Sequence, residues 1–373
     1  MKQDLAKARI AWVTRPGSVG GEGIPNNHAW GTDHLFALGA SRVPTRHVAW
    51  MDALGAKLRL GPNVSEQVWL FLNRRKYDFI IAKDTDLITV LCGLLWLFRL
   101  RKDMFAFLHF PLRVSIKDFF LARRCSVLLA LSEKIRELSL ISYPGASKAL
   151  VTLEWGVDIA FYDRLRAQAK YEAASASPLR ILLIGVTGRK FSSFVRAVRD
   201  ESDIHIRVLT GSPEVLREME RLPNFQSIRK APGEPVSYAD LVAEYLASDL
   251  VAIPLDLDPA TDAEMIRQRA TQWGVTTLLE ASTMGKPVVM TRNPVIRFDV
   301  AAEGCGWVVQ DDNGSQWREA IEYCKGNRAS LPAMGARARR HVEMHYDMRD
   351  FRKKLQQIIE RYYAALQAGG TSP

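Results

Sequence analysis

The segment Gln272–Pro287 (QWGVTTLLEASTMGKP) combines residue types that bind phosphate and sugar groups at short spacing. Gly274 permits close approach of the backbone, and Thr276 and Thr277 lie where a helix is expected to begin, so that their N–H groups form an anion site suited to a diphosphate. Glu280 falls about one turn further along, where its carboxylate can accept hydrogen bonds from two vicinal hydroxyl groups. The alternative is an ordinary capped helix that leads into a core strand.

The basic pair Arg189 and Lys190 follows the strand-like run Arg180–Ile184 (RILLI). Cations at such a position can neutralise the charge that builds on a departing phosphate group, much as a metal ion does in other enzymes. The alternative is a basic pair on an ordinary surface loop.

Two further candidates lie in the first half of the chain. Gly20 and Gly21, within the run Arg15–Gly23, would let backbone amides approach a phosphate or a sugar, and a flexible loop is the alternative. His109 stands near the end of the apolar run Phe105–Phe110 (FAFLHF), where it can face a ligand. A hydrogen-bonded core histidine is the alternative there.

These motifs together resemble the pattern of the GT-B nucleotide-sugar glycosyltransferases of the retaining family four type. That pattern has a Glu, seven residues, a second Glu, then Ala, a short turn, Gly-Lys-Pro and a Val-Val strand, and Gln272–Pro287 with its following VVM is similar to it. The likeness extends over most of residues 9–362. Its other elements are Leu153–Phe161 (LEWGVDIAF), Arg180–Lys190 (RILLIGVTGRK), Ala247–Leu255 (ASDLVAIPL), Val308–Asp312 (VVQDD) and Arg337–Tyr346 (RARRHVEMHY).

The resemblance implies a role for each donor-site candidate. Glu280 matches the Glu that holds the ribose hydroxyls, and Arg189 and Lys190 match the pair that grips the diphosphate. Gly211 matches a turn near the nucleotide base. Gln272 stands where the family has its first Glu, which contacts the sugar. A glutamine hydrogen-bonds a hydroxyl but has no negative charge to stabilise an oxocarbenium ion, so sugar choice or activity is expected to differ.

The activity that the resemblance implies is transfer of a sugar, with retention, from a nucleoside diphosphate sugar to a glycan or lipid-linked acceptor, in the synthesis of a cell-surface polysaccharide or glycoconjugate. His109 would then face the transferred sugar. No cofactor is expected, and no metal either. Asp84-Thr85-Asp86 and Asp256-Leu257-Asp258 read as Asp-x-Asp, the metal motif of the other glycosyltransferase fold, but this tripeptide is too short to be specific.

Two other functions stay open. A nucleotide-sugar epimerase has the same fold, although no set of carboxylates placed for elimination is evident in the sequence. A sugar-nucleotide-binding or scaffold protein that has lost catalysis is the other alternative, and Gln272 is the observation that motivates it.

Short apolar runs alternate with helical patterns in both halves of the chain, which predicts α/β folding around parallel sheets. We expect two Rossmann-like, doubly wound domains facing a central cleft. The predicted bounds are an acceptor domain over 1–165, a linker over 166–178, a nucleotide-sugar domain over 179–345, and a C-terminal helix and tail over 346–373 that returns to the first domain. The predicted strands are Arg9–Thr14, Asp78–Ala82, Phe105–Phe110, Ser126–Leu131, Arg180–Ile184, His205–Leu209, Leu250–Ile253, Pro287–Met290 and Gly306–Val309.

Composition agrees with two globular domains. The chain has 373 residues, of which 47% are hydrophobic and 25% charged, and this excludes a disordered, collagen-like or fibrous protein. Its four cysteines form no CxxC pair, so neither a zinc site nor a disulfide framework is indicated, and we expect a cytoplasmic location.

The charge is uneven along the chain. Residues 1–178 have 25 basic against 16 acidic side chains, whereas residues 179–373 have 26 against 25. The segment Leu112–Arg124 reads as a basic amphipathic helix that, with the cluster Arg99–Lys102, suits the inner, anionic face of a membrane. A core-packing helix with a solvated basic face is the alternative. Ile88–Phe98 is too short to span a bilayer, and nucleic acid is excluded because no aromatic and basic binding module is present.

Overall fold

The chain forms two compact units, one made of residues 1–155 with 348–373 and the other of residues 156–347. The computed structural model describes residues 8–14, 23–28, 31–58, 60–61, 63–170, 178–185, 188–210, 216–217, 219–220, 222–228, 236–257, 272–310 and 314–367. We expected the first domain to extend to residue 165, but the division between the units comes earlier, after Trp155. The helix Ile159–Gln168, capped by the Asp158 carboxylate, therefore belongs to the second unit.

The first unit has a six-stranded parallel sheet in the order β2-β1-β3-β4-β5-β6. Its strands are β1 Ile10–Val13, β2 Ala40–Arg42, β3 Phe79–Ala82, β4 Asp103–Leu108, β5 Val127–Ala130 and β6 Leu150–Thr152. Its helices are α1 Thr32–Ala37, α2 Ala49–Lys57, α3 Val64–Asn73, α4 Thr89–Leu97, α5 Ile116–Arg124, α6 Glu133–Ser142 and, from the end of the chain, α13 Met348–Gln367.

The second unit has a six-stranded parallel sheet in the order β12-β11-β10-β7-β8-β9. Its strands are β7 Leu179–Ile184, β8 Ile204–Leu209, β9 Phe225–Ser227, β10 Leu250–Ile253, β11 Val288–Thr291 and β12 Gly306–Val309. Its helices are α7 Ile159–Gln168, α8 Ser192–Val198, α9 Tyr238–Ala247, α10 Val275–Thr283, α11 Gly314–Gly326 and α12 Leu331–His345.

All nine predicted strands are confirmed, and no end shifts by more than two residues. The sequence did not predict β2, β6 and β9, each three residues long. These strands lie at edges of the two sheets and are only partly buried, so they carry no continuous apolar run.

The aromatic side chains of α13 cover one part of the first sheet. Phe351 stacks on Phe107 with ring centroids 6.2 Å apart, and Tyr362 meets Phe105 at 5.1 Å. Tyr363 contacts Phe79 at 5.5 Å. The last helix therefore supplies part of the hydrophobic core of the first unit.

The sequence of Met334–Leu366 has one long basic and amphipathic helical pattern, but the structure interrupts it. One helix ends at His345 and the next begins at Met348. Between them Tyr346 and Asp347 are buried, and the Tyr346 carbonyl accepts a hydrogen bond of 2.7 Å from the Val157 N–H. Because these two residues pair with an extended segment of the second unit, they leave the helical conformation.

The predicted helix Leu112–Arg124 is shorter than expected. It begins at Ile116, after Ser115, whose hydroxyl accepts a hydrogen bond from the Asp118 N–H at 3.1 Å. Leu112 precedes the helix and is buried, with its N–H donating to Ser139 Oγ at 3.0 Å. Leu112 is therefore unavailable for a membrane-facing helix surface.

Candidate functional site

The loops that follow β7 and β10 form the centre of the candidate site. In the second sheet the strand order reverses direction at this pair of strands, and ligands of doubly wound sheets bind at the carboxyl end of such a switch point. The two loops hold each other through backbone bonds. Arg189 pairs with Leu255, the Lys190 N–H donates to the Pro254 carbonyl at 3.3 Å, and the Asp256 N–H donates to the Gly188 carbonyl at 2.9 Å.

Arg189 is fixed at the amino end of α10. Its Nε donates to the Ile184 carbonyl at 3.1 Å and its Nη2 donates to Thr277 Oγ1 at 3.0 Å. Burial lowers the pKa of this guanidinium to about 10, so it stays protonated at neutral pH. The guanidinium lies against Gly185, where a Cβ would come within 2.4 Å of it, so only glycine leaves room for this arrangement. The result is a fixed positive charge at a helix terminus.

The start of α10 is shaped to accept an anion. Gly274 precedes the helix with φ of 88°, and as a glycine it has no side chain that could cap the helix. The N–H groups of a first helical turn have no intrahelical partner and carry partial positive charge. The ring of Trp273 packs on Gly188, where a Cβ would fall 2.1 Å from it, and its carbonyl accepts from Asn293 Nδ2 at 2.9 Å. The start of α10 and the loop that contains Gly188 are therefore packed against each other.

The structure brings most of the donor-site candidates together. Thr277 contacts Arg189 directly, and Thr276 lies beside it in the first turn of α10. Gln272 precedes this turn and is half-buried, as is Lys190 in the facing loop. Gly20, Gly21 and Gly211 lie outside the described residues, as does Asp258 of the second Asp-x-Asp.

Glu280 lies inside the second unit in a hydrogen-bonded group that the sequence did not predict. Tyr162 donates its hydroxyl to Oε1 at 2.5 Å, and Tyr245 donates to Oε2 at 3.2 Å. Only 3% of Glu280 is exposed. Burial, reinforced by the Glu280 charge, raises the pKa of both tyrosines well above 10, so both hydroxyls remain donors. A ribose must share this carboxylate with the tyrosines or displace one of them.

The lysine of the Gly-Lys-Pro run serves the fold. Lys286 Nζ donates to the carbonyls of Leu246 at 3.0 Å and Ser248 at 2.7 Å, which closes the end of α9. Burial lowers its pKa to about 8. Lys286 therefore links the turn after α10 to the end of α9 and stabilises the fold.

In the first unit, His109 follows β4 at the carboxyl edge of the sheet. Its Nε2–H donates to the Lys83 carbonyl at 3.0 Å, and its ring centroid lies 6.5 Å from that of Trp155. The side chain is half-buried and hydrogen-bonded, and its role of facing a transferred sugar stays a prediction. Asp84, from the first Asp-x-Asp, caps a short turn through the Asp86 N–H. Among the residues that the structure describes, no three His, Cys, Asp or Glu side chains group as a metal site.

Glu66, in the first turn of α3, is a second buried carboxyl group that the sequence did not predict. It is 2% exposed, and burial raises its pKa to about 7 although the charges of Arg42 and His47 act against the shift. Because helices of a doubly wound sheet begin near the carboxyl ends of the strands, Glu66 lies at the same edge as His109.

The raised pKa of Glu66 predicts how the free energy of unfolding changes with pH. The unfolded chain releases this proton above its ordinary pKa of 4.5, whereas the folded chain keeps it to about 7, so folding stability falls between these pH values, by about 3 kcal/mol. Glu66→Gln should remove this loss. In urea unfolding, the variant should gain stability over the wild type as pH rises from 4.5 to 7. The exposed Glu137→Gln is the control for loss of a carboxylate, and equal curves for wild type and Glu66→Gln would contradict the assignment.

No protein-family model matches the chain, and no curated protein matches it by sequence. Solved structures match it along almost its full length. Sucrose-phosphate synthase from Thermosynechococcus elongatus has a TM-score of 0.71 at 14% identity, and the match covers 96% of this chain and 100% of that one. HepE from Anabaena, solved in complex with UDP and glucose, has a TM-score of 0.64 at 14% identity over 95% and 99% of the two chains.

The chain has the GT-B fold. This confirms the fold class that the motifs predicted. The same GT-B fold occurs in a Listeria monocytogenes protein assigned as a UDP-N-acetylglucosamine 2-epimerase, with a TM-score of 0.54 at 14% identity over 96% of this chain and 97% of that one. The fold alone therefore leaves the reaction open between transfer and epimerisation.

Proposed function

We propose that this protein is a glycosyltransferase that takes a sugar from a nucleoside diphosphate sugar. The observation that carries the proposal is the guanidinium of Arg189, held by Thr277 at the amino end of α10 at the switch point of the second sheet. A cation, the N–H groups of Thr276 and Thr277 in the first turn of α10 and closely approaching glycine backbone together form a site for a diphosphate. The donor-bound HepE structures have the same fold, which supports this choice of ligand.

In this reaction the site would stabilise the leaving group. When the bond between the sugar and the diphosphate breaks, negative charge grows on the phosphate oxygen, and Arg189 with Lys190 would neutralise it without a metal ion. Because these groups are already in place, little reorganisation is needed during the reaction. With retention, the departing phosphate itself can take the proton from the acceptor hydroxyl.

The remaining donor contacts that we propose are those that the motif resemblance implies. Gln272 would hydrogen-bond the transferred sugar, and Gly211 would line the nucleotide base. Glu280 would accept the ribose hydroxyls. Its two oxygens already accept the hydroxyls of Tyr162 and Tyr245, so a ribose would share the carboxylate with the tyrosines or displace one of them.

The acceptor would bind at the first unit, at the carboxyl edge that bears His109. Gly20 and Gly21 remain predicted to let backbone amides contact a phosphate or a sugar. A glycan or a lipid-linked saccharide fits the function class, and synthesis of a cell-surface polysaccharide or glycoconjugate is the setting that we propose. A cytoplasmic location is part of this proposal, because nucleotide sugars are the donors.

Epimerisation is the second candidate, favoured by the shared fold with the Listeria monocytogenes protein. It predicts that a nucleotide sugar is isomerised with no acceptor present. A third outcome, binding without reaction, is the one that Gln272 in place of Glu would favour.

One experiment separates these outcomes. Nucleoside diphosphate sugars are screened by thermal shift, and a ligand at about a hundredfold excess over its Kd should stabilise the protein by about 2.7 kcal/mol. The stabilising donor is then incubated without acceptor and with a panel of glycan and lipid-linked acceptors, and the products are identified by mass and by chromatography of the released sugar. Acceptor-dependent release of the nucleoside diphosphate supports transfer, isomerisation without acceptor supports the epimerase, and the absence of any stabilising donor contradicts the proposal.

A further inference from the structure

The carboxyl ends of α3 and α4 expose large apolar side chains. Leu72 is 69% exposed, Leu97 64%, Phe98 57% and Trp96 43%. Exposed apolar residues scattered singly are normal, but a group of this size is typical of a surface that contacts a partner or a membrane.

The group continues along α5. Phe98 packs on Phe71 with ring centroids 5.5 Å apart, which joins the ends of α3 and α4. Trp96 contacts Phe119 at 6.2 Å, and Phe119 lies one turn from Ile116, which is 73% exposed. Val114, just before the helix, is 79% exposed. We call this set the apolar ridge: Leu72, Trp96, Leu97, Phe98, Val114 and Ile116.

Basic side chains surround the apolar ridge. The exposed ones are Arg75, Lys76, Arg99, Arg101, Arg113 and Arg123. Residues 71–76, 96–102 and 121–124 include no Asp or Glu. The guanidinium of Arg123 lies over the Phe119 ring at 5.6 Å, and that of Arg74 lies over Phe71 at 5.0 Å, so the cations border the apolar groups directly. An apolar centre within a cationic border matches a bilayer with anionic headgroups.

We infer that the apolar ridge and its basic border dock this protein on an anionic lipid surface. The ridge side chains enter the headgroup and acyl boundary while the arginines and lysines contact phosphate groups. Among the described residues, no helix is long and apolar enough to cross a membrane. The sequence predicted an apolar helix face of Leu112, Ile116, Phe119 and Phe120, of which Ile116 is exposed and belongs to the ridge. Leu112 is buried and the two phenylalanines pack on Trp96, so the ridge takes that place.

The test is co-sedimentation of the full chain with vesicles of phosphatidylcholine alone or mixed with phosphatidylserine. The wild type should pellet with the anionic vesicles at about 0.1 M salt and release at about 1 M, where the Debye length falls to about 3 Å. Arg75→Glu with Arg101→Glu and Arg123→Glu should lower partitioning on the order of 100-fold, since each basic residue contributes about a factor of five to ten. Leu97→Ser with Phe98→Ser should lower it at least about tenfold.

Control variants outside the ridge test whether the loss of vesicle binding is specific to this surface. Lys353→Glu with Lys354→Glu changes exposed charges on α13, and Met344→Ser removes a 65% exposed apolar side chain from the second unit. Both should bind vesicles like the wild type, and melting temperatures show that every variant is folded. Wild type and ridge variants that partition equally would overturn the inference. So would a self-associated wild type that Leu97→Ser with Phe98→Ser dissociates with no change in vesicle binding, since the ridge would then be an interface between copies of the chain.

Discussion

Arg189→Ala is expected to lower the rate of sugar transfer by about 100-fold or more, because a fixed cation is removed from the charge that develops on the leaving diphosphate. The side chain is already positioned by the Ile184 carbonyl and by Thr277, so its loss is not made good by a mobile neighbour. The measurement is kcat and kcat/KM with the donor found by thermal shift. A loss in kcat that exceeds the loss in affinity for the free nucleoside diphosphate would show that the cation acts mainly in the transition state.

Two other variants test whether the effect depends on the guanidinium of Arg189 itself. Arg189→Lys keeps the charge but cannot reproduce both bonds of the planar guanidinium, so we expect partial activity. Arg199→Ala removes an exposed arginine from the same unit, beyond the end of α8, and should leave kcat unchanged. Activity of Arg189→Ala close to wild type would place the diphosphate elsewhere. Lys190→Ala, measured alone and with Arg189→Ala, reports whether the second cation acts independently.

Glu280→Ala is expected to destabilise the protein by about 4 kcal/mol. The substitution leaves the hydroxyls of Tyr162 and Tyr245 buried with no acceptor, and each such group costs about 1–3 kcal/mol, in addition to the cavity left by the side chain. Urea unfolding of the unliganded protein measures this loss. Tyr245→Phe, which removes one donor and leaves the carboxylate bound by the other, should cost less than Glu280→Ala.

Ligand binding by Glu280→Ala tests the ribose contact separately from stability. Below the melting temperature, the variant should bind a nucleoside diphosphate more weakly by about 1.5–3 kcal/mol per lost charged hydrogen bond. Its affinity for pyrophosphate, which has no ribose, should stay close to that of the wild type. Equal loss for both ligands, or for neither, would assign Glu280 to the fold alone.

Arg189 and Thr277, two candidates that the sequence predicts for the proposed donor site, are in contact. The sequence could identify them because Arg189 follows a strand and Thr277 lies in the first turn of a helix, and the apolar spacing shows the type of both elements. Tyr162 could not be identified, because its contact with Glu280 joins positions 118 residues apart and no periodicity encodes such a distance. The predicted boundary also placed Tyr162 in the first domain, whereas its helix belongs to the second unit.

The same distinction explains which strands could be predicted. Interior strands such as Leu250–Ile253 are buried on both faces and so appear as continuous apolar runs. The edge strand Phe225–Ser227 pairs with one neighbour and has no buried residue, so its sequence resembles a loop. The break at Tyr346 and Asp347 was equally hidden, because the residues that end the helix do so through a partner near Val157.

The discontinuity of the first unit sets an order of assembly during translation. A ribosome releases residues 8–155 early, yet the aromatic side chains that cover Phe79, Phe105 and Phe107 come from Met348–Gln367. The whole of residues 156–347 is synthesised in the interval, and that unit is contiguous, so it can complete its own core first. The nascent first unit therefore keeps an uncovered aromatic face until Met348–Gln367 emerges, although its strands are made before residues 156–347.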